Sequence, residues 1–100
     1  MKFAVLFEDH SGAGSELRFK YLDAHLAFLV RNSSVIDAAG ALKESDNSHA
    51  GGLWIVEAEN REIVRNLVEE DPFWLVGLRK TVQILFWQRD FSNGYHVVEI

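Results

Sequence analysis

Apolar residues recur along the chain with two periods, and the switches between them predict the elements. Phe3, Val5 and Phe7 alternate with Ala4 and Leu6, the period of a strand, before Glu8 and Asp9 end the run. His10-Ser11-Gly12-Ala13-Gly14 reads as a loop, with Ser15 placed to cap a helix running to about Asn32. Leu22, Leu26 and Leu29 share one stripe of that helix, and Asn32-Ser33-Ser34 breaks it. A short strand over Val35 to Leu42 carries Gly40. A polar loop over Lys43 to Gly52 follows, then a strand over Leu53 to Glu57. Asn60 is a suitable N-cap for a second helix, with Ile63, Val64, Leu67 and Val68 on one face. Asp71-Pro72 stops it, because proline disfavours helix in the residue before it. A turn through Phe73 to Leu78 leads to a strand over Thr81 to Gln88. Ser92-Asn93-Gly94 signals a turn and Tyr95 to Glu99 a terminal strand.

Strand, helix, strand, strand, helix, strand is the order of an α+β ferredoxin-like fold (βαββαβ), an antiparallel sheet with both helices on one face. Val82, Ile84 and Phe86 oppose Leu85 and Trp87, just as Phe3, Val5 and Phe7 oppose Ala4 and Leu6. These strands are apolar on both faces, yet a half-exposed antiparallel strand alternates apolar with polar. Two helices cover only one face. A second copy of the same sheet is the simplest cover for the other, so a back-to-back homodimer is expected.

The 100 residues make a single domain, 1–100, small enough for oligomerisation to be a common supplement to its core. The net charge of −5 and the scattered Lys and Arg argue against nucleic acid as a partner, since phosphate binding needs a basic footprint. There is no cysteine, hence no thiol nucleophile, thiolate metal site or disulfide. The run Phe3 to Phe7 is too short for a signal peptide and meets Glu8 and Asp9 at once. No stretch has membrane-spanning length. A cytoplasmic protein with no membrane association is the expectation.

Candidate chemistry centres on His25, which interrupts the Leu22, Leu26, Leu29 stripe. A half-buried imidazole is the side chain best placed to move a proton near neutral pH. It is equally a core histidine satisfied by one hydrogen bond. Asp71 also has two roles open to it. Asp before Pro is a standard start for a helix, and the carboxylate is free to orient a histidine as well. An aspartate beside one ring nitrogen fixes the tautomer and favours the protonated ring, leaving the other nitrogen as general base or acid. Gly12-Ala13-Gly14 lies between strand and helix but lacks a third glycine, Leu17 standing in its place, and Glu8 and Asp9 would repel phosphate. His10, His49, Asp9 and Asp46 show no metal-ligand spacing, so neither a metal nor an organic cofactor is expected. His49 or Ser48 would be a secondary contact in a cleft, and Phe73 or Trp74 could wall an apolar pocket for a planar substrate. His96 has no partner in sequence.

The opening strand Phe3-Ala4-Val5-Leu6-Phe7, His25-Leu26-xx-Leu29, Gly40, and Asp71-Pro72-Phe73 followed by Gly77-Leu78 resemble, in order and spacing, the YciI-like (YCII-related) family of the dimeric α/β-barrel superfamily. The resemblance implies a ferredoxin-like fold, a dimer, and a His–Asp pair in a cleft beside the sheet, carried here by His25 and Asp71. One branch of the family eliminates chloride from a chlorinated hydroxyquinol. Two departures stand out. Leu22 and Asp23 occupy the places where many members carry arginine and proline, so a cationic substrate contact is expected to be missing. Gly40-Ala41 replaces a common Gly-Pro. The expected function is an enzyme acting on a small, aromatic or enolic molecule by proton transfer, with elimination or isomerisation. The alternatives are a non-catalytic ligand-binding or accessory dimer, and a cofactor-free monooxygenase of the related barrel superfamily.

Overall fold

The computed structural model describes residues 1–11, 14–92 and 94–96. The chain runs β1 (Lys2–Asp9), α1 (Gly14–Arg31), β2 (Ile36–Lys43), β3 (His49–Glu57), α2 (Arg61–Glu70), α3 (Pro72–Leu75), β4 (Arg79–Phe86), then β5 (Phe91–Ser92) and β6 (Tyr95–His96). The first four strands form an antiparallel sheet in the order β2-β3-β1-β4, the ferredoxin-like arrangement. Phe91–Ser92 and Tyr95–His96 pair as a small hairpin, and Gly94 at its turn has φ +81°. Residues 97–99 of the expected terminal strand, Asn93 of the turn, and Gly12 and Ala13 of the first loop lie outside the described residues.

The core forms where the helices meet one sheet face. Phe3, Val5 and Phe7 of β1, Trp54 and Val56 of β3, Ile36 and Ile84 are buried against Phe28 of α1 and Val64, Leu67 and Val68 of α2. Asn60 caps α2 as its sequence position predicts, its side chain accepting the Ile63 N–H at 3.0 Å. The other sheet face carries Ala4, Leu6, Leu53, Ile55 and Leu85. Ala4 pairs with both Ile55 and Leu85, an apolar row across three strands, while Leu6 pairs with Leu53 on one side and Gln83 on the other.

One expectation needs revision. The expected loop over Lys43 to Gly52 is shorter, because β3 begins at His49 and takes in Gly51 and Gly52. A Cβ on Gly51 would lie 1.8 Å from the Phe7 carbonyl oxygen, so glycine here reflects close strand approach rather than a turn. The apolar stripe of α1 is divided, with Leu29 packed against the core. Only His25 and Phe28 of that helix are buried, and Leu22 and Leu26 are 39% and 47% exposed. No helix among the described residues is long and apolar enough to cross a membrane.

Candidate active site

The half-exposed stripe of α1 forms one wall of a cleft of about 490 Å³. Leu22, Leu26 and Leu29 face Ala39 and Ala41 of β2 and Trp54 of β3, while His25, Phe73, Arg18 and Arg79 also line it. Ala39 and Ala41 are small, and this keeps the edge of the sheet low beneath the helix.

His25 and Asp71 meet across 46 positions of sequence, Nδ1 to Oδ1 at 2.7 Å. The helix break brings this about. Asp71 ends α2 and caps α3, its backbone extended at φ −66° and ψ 129°, and the same Oδ1 accepts the Phe73 N–H at 3.1 Å. Pro72 at the first position of α3 fixes the turn that aims the carboxylate back at α1. Cap and histidine partner are therefore one geometry, not competing roles. An ionised carboxylate only accepts, so the ring proton shared with Asp71 sits on Nδ1 and Nε2 is the nitrogen left to a ligand. Phe73 stacks on the imidazole with ring centroids 4.0 Å apart and planes 10° from parallel, which locks the ring orientation. Asp71 is fully buried, and its Oδ2 has no hydrogen-bond partner among the described residues. Holding a carboxylate so is costly unless its charge is paired.

Two arginines, Arg18 and Arg79, line the cleft, although Leu22 and Asp23 stand at the positions just before His25. Arg18 lies seven positions before His25, two turns up the same stripe, and its Nη2 reaches Asp9 Oδ2 at 2.5 Å. Arg79, at the start of β4, reaches Asp9 Oδ1 through Nη1 at 2.8 Å. Burial pulls the Arg79 pKa down, while the hydrogen bond and charge of Asp9 pull it back up, and an arginine starts high enough to stay charged. Its guanidinium lies 4.4 Å from the Phe7 ring centroid, in space that a Cβ on Gly52 would crowd at 3.0 Å from Nη2. Arg18 was legible at i−7 from His25. Arg79 was not, since a strand-end arginine carries no sign of burial.

The other expected contacts divide. His49 lines the cleft, and burial followed by the charges of Arg18 and Lys43 holds its pKa below the ordinary histidine value. Phe73 lines it too. Ser48 does not, because its N–H and hydroxyl both turn to Asp46 in the β2–β3 loop. Trp74 points from α3 towards the core and α2, under the Arg65 guanidinium at 5.4 Å. His10 is exposed in the loop after β1, its N–H donating to the Leu78 carbonyl at 3.0 Å. Among the described residues, no three His, Cys, Asp or Glu side chains gather to hold a metal.

The YCII-related domain matches residues 1–88. The chain belongs to this family. Comparison with curated protein sequences finds no significant match. Among solved structures, this YCII-related protein is similar to 5-chloro-2-hydroxyhydroquinone dehydrochlorinase from Burkholderia phenoliruptrix AC1100, solved in complex with 2,5-dihydroxybenzoquinone. The two are 29% identical, with a TM-score of 0.80, and the match covers 89% of this chain and 95% of that one. The shared fold includes the sheet and helices that form the cleft of the YCII-related chain.

Proposed function

We propose that this YCII-related protein is a small-molecule enzyme in which His25 transfers a proton to and from an oxygenated ring and Asp71 orients it. The carrying observation is the 2.7 Å bond between a fully buried carboxylate and the imidazole that lines the cleft. A carboxylate hydrogen-bonded to one ring nitrogen leaves the other free to exchange a proton with a ligand in the cleft. The neighbour's bound dihydroxybenzoquinone supports a flat, oxygenated substrate, and apolar walls from Leu22, Leu26 and Trp54 suit one.

In an elimination, His25 Nε2 takes a ring-hydroxyl proton and returns it to the ring carbon bearing the halogen. Removal of a second hydroxyl proton then forms the carbonyl as chloride leaves with its bonding pair, a net loss of HCl. An isomerisation uses the first of these steps alone. The protonated ring formed in between is neutralised by Asp71.

We also propose that the protein is a homodimer joined through the Ala4, Leu6, Leu53, Ile55 and Leu85 face, in keeping with the dimers implied by its family resemblance. A soluble cytoplasmic setting agrees with this reading.

The test of catalysis is chloride release from 5-chloro-2-hydroxyhydroquinone. Wild-type protein should release chloride, and His25→Ala should lower the rate by about a hundredfold or more. Equal rates for the two proteins would refute the assignment.

A further inference from the structure

The cleft is larger and longer than proton transfer on a bare ring requires. Its volume of about 490 Å³ falls within the roughly 300–1,000 Å³ of sites that enclose drug-sized ligands, and one six-membered ring occupies a fraction of it. It follows α1 from Arg18 to Leu29, about 16 Å along the helix axis at about 1.5 Å per residue.

The two ends of the cleft differ. Arg18 Nη2 lies 3.5 Å from the Gly51 carbonyl oxygen, which sets the first half of α1 over the start of β3. Lys43 and His49 pair between β2 and β3 and line the cleft at this polar end. The Phe28 and Trp54 rings lie 5.9 Å apart, which sets the second half of α1 over the middle of β3. Trp54 pairs there with Ala39 of β2. Past His25, Leu26 and Leu29 therefore line the helix side of the cleft, and Ala39 and Trp54 line the sheet side. None of these four side chains carries a charge.

This apolar end is not closed by the protein's own packing. Leu29 packs against the core, yet Leu26, on the same stripe, is 47% exposed, and Ala39 is exposed across from it. A longer side chain at position 39 would fill the gap, and alanine leaves it open. Apolar surfaces that face each other across an open gap favour an apolar group between them. The gap is continuous with the wall that carries His25, so the molecule whose ring lies at the histidine is the one that reaches it.

We propose that the substrate is an oxygenated ring bearing an aliphatic arm, with the ring beside His25 and the arm held by Leu26, Leu29, Ala39 and Trp54. This names a substrate class for the proton-transfer function and rests on it. Leu29 lies one helical turn, about 6 Å, past His25, a length that a chain of about five carbons spans.

Calorimetric titration with 2,5-dihydroxy-3-methylbenzoquinone and 2,5-dihydroxy-3-pentylbenzoquinone tests this. The two share the ring, its oxygens and its charge, and differ by four methylenes. A fully buried methylene gives about a fourfold gain in affinity. With the arm half covered, the pentyl compound should bind wild type at least about tenfold more tightly than the methyl compound. Leu26→Gln takes apolar surface from a half-exposed helix position and should cut that ratio to about threefold or less. Ala39→Leu fills the sheet side of the gap and should bring the ratio close to one. Melting curves check that both variants fold. Equal affinities for the two quinones in wild type, no binding of either, or an unchanged ratio in either folded variant would each overturn the proposal. Equal affinities beside a mass that falls in light scattering of Leu26→Gln would overturn it too, and would assign the stripe to a second copy of the chain. Repeating the titrations on His25→Asn separates the two ideas. A pentyl preference that survives there, beside a wild type that releases no chloride, fails the catalytic reading alone. Chloride release by wild type without any pentyl preference fails the aliphatic arm alone.

Discussion

Breaking the His25–Asp71 bond from both sides gives the sharpest test of whether the two residues act as one unit. Asp71→Ser keeps an N-cap oxygen for the Phe73 N–H but is too short to reach His25 Nδ1, 2.7 Å from the native carboxylate. His25→Leu keeps the bulk beside Phe73 and removes both ring nitrogens. In Asp71→Ser a buried ring N–H loses its acceptor, which costs about 1–3 kcal/mol. In His25→Leu the carboxylate stays fully buried with only the Phe73 N–H as donor, and an orphaned buried charge costs about 3–5 kcal/mol. The double variant leaves neither group stranded. Its loss should therefore fall short of the summed single losses by about 2 kcal/mol, the size of a buried hydrogen bond to a charged group. Urea unfolding at one fixed protein concentration reads this directly, since association would otherwise shift the midpoints. Losses that add to within about 0.5 kcal/mol would show no energetic coupling and refute the reasoning. Ligand affinity or turnover should show the same failure of additivity.

Leu53→Glu puts a charge in the centre of the apolar sheet face, beside its cross-strand neighbour Leu6. Light scattering should then fall from twice the chain mass to one, while circular dichroism keeps the sheet; an unchanged dimer would place the interface elsewhere. Gly51→Ala drives a methyl to within 1.8 Å of the Phe7 carbonyl, so β1 and β3 must part. The loss should reach about 3 kcal/mol, the upper end for overpacking, and a melting temperature equal to wild type would contradict the strand spacing. His49 should titrate below the ordinary histidine value, because burial and then the charges of Arg18 and Lys43 disfavour its imidazolium. A depressed histidine pKa means that the unfolded chain binds the proton more readily, so His49 contributes a small loss of stability as pH falls below the unfolded value. NMR titration should show the His49 midpoint rising in Arg18→Met, and an unmoved midpoint would mean that Arg18 does not face it.

The sequence alone determined the four strands of the main sheet, the two long helices and their order, but read the short helix α3 (Pro72–Leu75) as a turn. Strand alternation at Phe3–Phe7, the Asn60 cap and the Asp71-Pro72 break are short-range signals, written in neighbouring side chains and obeyed locally. From these followed the ferredoxin-like arrangement and the two-sided apolar strands. Asp71 as a helix cap was legible for the same reason. What lay beyond reach was contact between distant segments. Gly51 and Gly52 read as loop, since nothing local reveals that the Phe7 carbonyl and the Arg79 guanidinium occupy the space their side chains would need. Periodicity placed Leu22 and Leu26 on one apolar face, but it shows which face is apolar and not whether that face meets the sheet or a cleft. The meeting of His25 with Asp71, and of Arg18 with Arg79 across Asp9, was decided only when α1, α3 and β4 closed on the same end of the sheet. Hydrophobic pattern fixes each element's identity one turn or one pleat at a time, but charge pairing depends on distances that exist only after the elements have packed.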